Sequence, residues 1–509
     1  MPNAAIERIA GKRNAYFMPI PVIDLFAGPG GLSEGFEGYR NGGDRPFRCV
    51  LSIEKESSAH RTLLLRTFFR QFTRAPKEYF QYLRGELSLK ELFEKYPRQH
   101  EKAQLIAIRL TLAPWNRKRI DRMVRRAVGD HENWVLIGGP PCQAYSLVGR
   151  ARRRKETRRE FESDGRHFLF KEYLRIVRKF RPPVFVMENV KGLLSSSAKG
   201  VEIFKRMLED FAGAGYTLHS FVKEGNGEDL EPVDYVIEAE RYGVPQSRHR
   251  VILLGVRKGL QRGGRCLRPA KRQVPIQAAI GDLPVIRSHI SPRSRDSLEA
   301  WLRELRRLRS VFGRNGRLKG RNIGRRVLRE LNGGAEFVPS KFREPRERSW
   351  LARLKAWLID RRIKGVTLHD ARYHMPRDLR RYLFASHYAR VHGESPRIAD
   401  FPHRLRPAHK NVREAVREDV FADRFRVQIR GRPASTVVSH ISKDGHYYIH
   451  YDPIQCRSLT VREVARLQTF PDNYFFEGTR TSRYQQVGNA VPPLLARQMA
   501  AIVRAILAG

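Results

Sequence analysis

Cysteine is scarce. The 509-residue chain has four, Cys49, Cys142, Cys266 and Cys456, far apart and without a CxxC pair. This excludes a dense disulfide framework and an obvious zinc site, so each thiol must be read alone. Long apolar runs are also missing. No stretch of about 18 apolar residues is present, which excludes an ordinary transmembrane helix. Met1 to Tyr16 is charged and lacks the apolar run of a secretory signal. The expectation is a soluble, intracellular protein with no membrane association. Acidic residues are few as well: 53 Asp+Glu face 98 Lys+Arg, a net charge of +45. Such an excess predicts a polyanionic partner, because neutralising phosphates releases their counterions. The 41% hydrophobic content is too high for a disordered basic tail and provides for a real core.

The charge is unevenly spread. Val256 to Gln455 holds 46 Lys+Arg and 19 Asp+Glu, leaving +27 in 200 residues and +18 in the other 309. Only eight of those 46 cations are lysine, and arginine is the residue whose planar fork matches guanine edges and phosphates. Within this window Gly313 to Arg326 reads as a basic loop. Just before it, Asp296 and Glu299 bracket a helix start of capping-box type, followed by Leu298, Trp301, Leu302, Leu305, Leu308 and Phe312 at helical spacing, a stripe that reads as core.

From Pro21 to Gly255 short β-rich runs (Pro21 to Phe26, Cys49 to Ile53, Trp134 to Ile137, Val184 to Met187, Val251 to Leu254) alternate with helical patterns such as Phe168 to Phe180. Alternation of this kind predicts an α/β domain with a largely parallel sheet. Ser58 to Val128 reads as a basic helical insertion or an enlarged crossover. Leu459 to Leu507 is helical again, broken at Pro492 and Pro493.

Four constellations carry chemistry. Val22 to Gly31 is a buried-strand pattern running into a glycine turn and a helix, and Glu54 follows the next predicted strand, placed for ribose hydroxyls. The turn lacks the full GxGxxG of a pyrophosphate site, which favours a nucleoside cofactor without phosphates. Gly138 to Ser146 displays Cys142 at a strand end between prolines and glycines, where a thiolate can act as nucleophile. Val184 to Val190 ends in Glu188-Asn189, so the carboxylate should enter the same cleft. Arg248 and Arg250 alternate on entering a strand and should face the same side, suited to an electron-rich polar ring.

The ordered set Asp24 to Gly31, Gly139 to Ser146, Glu188 to Val190, Gln246 to Arg250, Leu459 to Asp472 and Gln486 to Val491 resembles the cytosine-C5 DNA methyltransferases of bacterial type, restriction-modification or orphan. The resemblance covers roughly Pro21 to Gly255 and Arg457 to Gly509. It implies a Rossmann-like α/β methyltransferase domain that uses S-adenosylmethionine and no metal, with a second, basic target-recognition domain. The catalytic domain would span 1–255, with the insertion at about 58–128. The recognition domain would span 256–455, excisable with cofactor binding retained, and 456–509 would complete the catalytic domain. The implied catalytic residues are Cys142, Glu188, Arg248 and Arg250. The implied cofactor residues are Asp24, Phe26, Gly28, Gly31, Leu32, Glu54, Pro141, Asn489 and Val491. Double-stranded DNA would be the partner, its target cytosine flipped out, with Leu147 to His167 as a lid. A cognate restriction endonuclease or other defence-system proteins, a monomeric state, and a cytoplasmic, nucleoid-associated location complete the expectation. The rival within the same chemistry is a tRNA cytosine methyltransferase, and outside it a DNA-binding protein on an inactive shell. One departure stands out: the acidic residue expected at the adenine amine has no clear match, Asp130 being the nearest candidate.

Overall fold

The structure, a computed structural model, describes residues 18–141, 168–194, 198–227, 229–260, 266–307, 331–341, 350–407 and 423–508. Among the described residues of the first half of the chain there are nine strands: β1 (Ile20–Leu25), β2 (Phe47–Glu54), β3 (Ala107–Arg109), β4 (Val135–Gly138), β5 (Val184–Val190), β6 (Tyr216–His219), β7 (Val236–Glu238), β8 (Gln246–Ser247) and β9 (His249–Arg257). All but β8 form one sheet in the order β3-β2-β1-β4-β5-β9-β6, with β7 also on β9. β1, β2, β3, β4 and β5 join in parallel, whereas β9 runs antiparallel to β5, β6 and β7. The central strands β1 and β4 are near-continuous apolar runs because both faces are covered. The chain leaves β1 toward β2 on one side and returns to β4 on the other. A crevice therefore opens at the carboxyl ends of β1 and β4, the usual ligand position in such sheets.

Helices cover the faces: α1 (Gly31–Gly38), α2 (Ser57–Arg70), α3 (Lys77–Leu83), α4 (Leu89–Lys95), α5 (Pro97–Ile106), α6 (Arg117–Val128), α7 (Phe168–Phe180) and α8 (Ala198–Gly213). Of the two readings of Ser58 to Val128, an insertion or an enlarged crossover, the structure has the crossover, in which α2 to α5 link β2 to β3. It also hides the edge strand β3, whose three residues are too few to show a period. Asp130 follows α6 and lines a shallow concavity with Met18, Ile20 and Arg504. Ile20 opens β1, so this is the amino edge of the sheet, opposite the crevice, and Asp130 is a turn residue there.

The second half holds α9 (Ile276–Ile280), β10 (His289–Ile290), α10 (Leu298–Arg306), β11 (Gly334–Pro339), α11 (Trp350–Leu358), β12 (Gly365–Asp370), β13 (Tyr373–His374), α12 (Pro376–His392) and β14 (Ala434–Ser435). Three tail helices follow: α13 (Val461–Leu467), α14 (Arg480–Asn489) and α15 (Pro493–Ile506). The apolar stripe on α10 does face a core, with Trp301 buried and its indole N–H donating to Ser288 Oγ at 3.0 Å. Its cap differs from expectation: Ser297 Oγ accepts from Ala300 N, while Asp296 pairs with Arg287 and His289. Leu308, Phe312 and Gly313 to Arg326 lie outside the described residues.

Trp301, Tyr382, Phe401 and Phe425 share a core that lies in the basic window except for Cys456 at the start of the tail. Ile276, Val366 and Val437 of the same window instead join Leu467, Phe470 and Tyr484 of the tail in one cluster. Three fully buried arginines at α13 make this junction. Arg457 pairs with Glu463 at 2.7 Å, Arg466 with Asp472 at 2.7 Å and Asp282 at 2.8 Å, and Arg462 donates to Thr367, Pro471 and Tyr474. A buried cation without such partners would cost several kcal/mol, so each anchors what it touches. Among the described residues no helix is long and apolar enough to cross a membrane.

Candidate active site

The glycine turn after β1 is held from several sides. Phe26, Gly28 and Gly30 all have positive φ (57°, 57° and 94°), a conformation that costs a non-glycine residue energy. Phe26 therefore persists there only because its surroundings fix it. Ala27 N donates to Ile53 O at 3.1 Å, Gly28 N to Glu54 Oε2 at 2.8 Å, and the Tyr474 hydroxyl to Pro29 O. Glu54 also accepts from Glu56 N at 2.7 Å, so its carboxylate ties the ends of β1 and β2 together at the crevice.

Asp24, one residue before the end of β1, is fully buried under the first turn of α1, facing Ser33, and neither carboxylate oxygen has a well-formed hydrogen bond. Burial pushes its pKa up to about 7, with neighbouring Glu54 adding to the shift and Ser33 opposing it. Asp24 thus sets one buried carboxyl group without a well-formed hydrogen bond beneath the glycine turn. Gly28 leaves open space where a side chain would stand. Leu32 is a core residue, so only its backbone N–H, in the first turn of α1, can serve a ligand.

The distant tail reaches the same place through close packing. A Cβ on Gly31 would stand 2.3 Å from Val491 O, so the residue must be glycine for the Ala490-Val491 backbone to cross α1. Val491 is buried, and Asn489 is exposed at the end of α14.

The second half of the crevice lies between β4, β5 and β9. Register places Val190 of β5 opposite Arg250 of β9, and the Arg250 guanidinium meets Glu188 Oε1 at 3.0 Å, with both side chains mostly buried. Burial lowers the Arg250 pKa and Glu188 pulls it back. A Cβ on Gly139 would approach Glu188 Oε2 to 3.1 Å, so a glycine there leaves room for the carboxylate. Asn189 Nδ2 donates to Pro140 O at 3.3 Å, and Pro141 is partly buried beside it in sequence. The Glu188-Asn189 pair thus braces the segment that leads into residue 142. Cys142 itself and the stretch Leu147 to His167 lie outside the described residues.

Arg248 and Arg250 do not share partners, as alternation alone suggested. Arg248 is 1% exposed and donates to Val437 O at 2.8 Å and Gly488 O at 3.1 Å. The strand is interrupted at Arg248, because Gln246-Ser247 pairs with β14 as a separate short ladder before β9 begins at His249. Two residues gain roles that spacing did not reveal. Gln246 and Gln468, both buried, hydrogen-bond each other at 3.2 Å, and Gln468 reaches Val487 O and Ala490 O. Both stood within quoted motifs, but nothing in their spacing indicates mutual contact.

Residues 118–333 and 353–504 match the family model of the C-5 cytosine-specific DNA methylases. A type II methyltransferase of Bacillus paralicheniformis is 35% identical, over 96% of this chain and 99% of its own. A DNA (cytosine-5-)-methyltransferase of Aeropyrum pernix is 27% identical, over 73% and 81%. A crystal structure of a DNA modification methyltransferase encoded within an E. coli prophage covers 96% of this chain and 100% of its own, at 18% identity and a TM-score of 0.54, a likeness of fold. With a strand order that opens a crevice at β1 and β4, a carboxylate–arginine pair beside the Pro140-Pro141 segment, and these matches over most of its length, the chain belongs to the C-5 cytosine-specific DNA methylase family.

Proposed function

We propose that this DNA (cytosine-5-)-methyltransferase acts on a cytosine flipped out of a specific duplex site, through a covalent adduct between Cys142 and C6 of the ring. The observation that carries the reading is the buried Glu188–Arg250 pair, aligned by β5 and β9 and braced against the segment that leads to Cys142. C5 of cytosine is a poor nucleophile. Addition of the Cys142 thiolate to C6 moves the C5–C6 electron pair onto C5, while Glu188 hydrogen-bonds or protonates N3 and Arg250 holds O2, where charge develops. S-adenosylmethionine, when bound, supplies an electrophilic methyl group to that carbon. Transfer of the C5 proton to water then returns its electrons to the ring and expels the Cys142 thiolate, and N3 gives any proton it took back to Glu188.

Asp24, Phe26, Gly28 and Glu54 at the glycine turn would hold the cofactor with Pro141, Asn489 and Val491. The backbone N–H groups of Gly31 and Leu32, in the first turn of α1, would receive its carboxylate. The orphaned Asp24 oxygens and the space beside Gly28 fit a cationic nucleoside ligand. Arg248 makes its bonds inside the protein and supports the pocket rather than the ring. The basic window would face DNA, and the relatives' type II names suggest a cognate restriction endonuclease in the same cell. The enzyme would work as a monomer in the bacterial cytoplasm. Competition between duplex DNA and tRNA for labelled methyl groups tests the substrate: label on DNA supports this reading, and label on tRNA alone refutes it.

A further inference from the structure

The base pocket and the cofactor crevice are assembled from segments far apart in sequence, and one buried polar junction touches both. Arg248 lies at its centre, two residues before Arg250. Its guanidinium donates to Val437 O at 2.8 Å and to Gly488 O at 3.1 Å. Gln246 Oε1 accepts from Val437 N at 2.7 Å, and Gln246 Nε2 donates to Leu467 O and Gln468 Oε1, both at 3.2 Å. Gln468 Nε2 then donates to Val487 O at 2.7 Å and Ala490 O at 3.3 Å. Every carbonyl that Arg248 and Gln468 take from α14 and its exit thus lies within four residues of Val491, which packs on Gly31.

The contacts are too tight to slide independently. A Cβ on Gly488 would stand 2.5 Å from Val438 C and 2.6 Å from Ser439 N, so the backbone of the basic window presses directly on the end of α14. Arg248 is fully buried and among the described residues hydrogen-bonds only to backbone carbonyls; burial lowers its pKa well below the ordinary value, with Arg250 adding to the shift and Glu188 opposing it. With no carboxylate bonded to it, its charge is offset less directly than those of Arg457 and Arg466, a poor choice for stability alone.

We infer that Arg248, with Gln246 and Gln468, is a positioning residue that couples the DNA-facing window and the Glu188–Arg250 pocket to the segment closing the cofactor crevice, Gly488 to Val491. The inference rests on the proposed function and adds to it a thermodynamic link between the two substrates. DNA that shifts Val437 to Ser439, or that loads Arg250, moves the carbonyls that hold Asn489 and Val491. Coupling between two sites is reciprocal, so cofactor tightens DNA by the same factor.

The test measures the dissociation constant of S-adenosylhomocysteine by calorimetry, with the full-length protein, alone and with saturating duplex DNA carrying the target site. The wild type should bind it about tenfold more tightly with DNA, a coupling within the ordinary range. R248M should reduce that ratio to about one, and R248K, which keeps a donor, should restore part of it. Because R248M could also loosen the fold, Q468L breaks the junction from its other end without leaving a buried charge, and it should lower the ratio likewise. A general loss of stability would weaken binding with and without DNA alike, leaving the ratio intact. A wild-type ratio near one, or variant ratios equal to a larger wild-type ratio, would overturn the coupling while leaving the enzymatic reading in place. Failure of the wild type to bind S-adenosylhomocysteine at all would overturn both.

Discussion

Gly31→Ala adds one methyl group at the point where the carboxyl-terminal segment closes on the glycine turn. The new Cβ would meet Val491 O at 2.3 Å and Val491 N at 3.2 Å. Carbon atoms do not approach a carbonyl oxygen below 3.0 Å, so the Val491 backbone must retreat by at least about 0.7 Å, an overpacking that typically costs about 1–3 kcal/mol. Gly31 has no positive φ, so the alanine brings no conformational strain and the penalty is purely steric. Gly42→Ala, outside the crevice, is the matched control. Its Cβ enters open space, but its φ of 59° imposes a left-handed penalty of about 1–2 kcal/mol. Urea unfolding and titration with S-adenosylhomocysteine, applied to both variants, separate the effects. Gly31→Ala should lose stability and bind the cofactor product more weakly, because Asn489 and Val491 move with the backbone. Wild-type stability with wild-type affinity would refute the close packing. Lost stability with unchanged affinity would show that Val491 does not border the cofactor.

Glu188→Gln should lower methyl transfer by orders of magnitude and destabilise the fold by about 1–3 kcal/mol, since Arg250 loses its charged partner; single-turnover methylation and urea unfolding read the two effects separately. Arg466→Met leaves Asp472 buried beside Arg462 alone, with a stability loss of about 3–5 kcal/mol expected in chemical denaturation. Asp24 binds its proton more tightly in the folded chain, with a pKa near 7 against 3.8, so stability should fall as pH rises from about 4 to 7, and Asp24→Asn should remove that slope. His369 and His450 have the opposite sign. Burial holds both at about 4, so the unfolded chain takes up protons first and stability drops as pH falls from 6.5 toward 4, a loss that His369→Gln should lessen in pH-resolved melts.

The parallel strands were legible because they are buried on both faces and read as short apolar runs: Val184 to Met187 lies within β5, and Cys49 to Ile53 within β2. α7 was legible from Phe168 to Phe180 by its period. β3 was not, since three residues at a sheet edge carry no period. Glu188 and Arg250 were placed together through their motifs, and antiparallel register supplies the contact. Arg248 was read as facing the same ring because strand alternation assumes an unbroken strand, whereas β8 and β9 are separate. The basic window was read as an excisable lobe from its charge. Charge marks a surface, however, and is silent about Ile276, Val366 and Val437, which lie in one core with the tail helices. Excision of 256–455 would therefore unfold the cofactor crevice as well, and the salt dependence of DNA binding is better tested with point substitutions of exposed arginines.

The central claim is that Cys142 adds to the ring of a cytosine in duplex DNA. A duplex containing the target site with 5-fluorocytosine in place of cytosine has no C5 proton to lose, so the adduct formed after methyl transfer cannot eliminate. Incubation with S-adenosylmethionine, followed by denaturing electrophoresis and mass spectrometry, should give one protein–DNA species joined through Cys142, and Cys142→Ala should give none. Methylation of ordinary cytosine by a wild type that forms no such species, or an adduct that persists in Cys142→Ala, would contradict the mechanism.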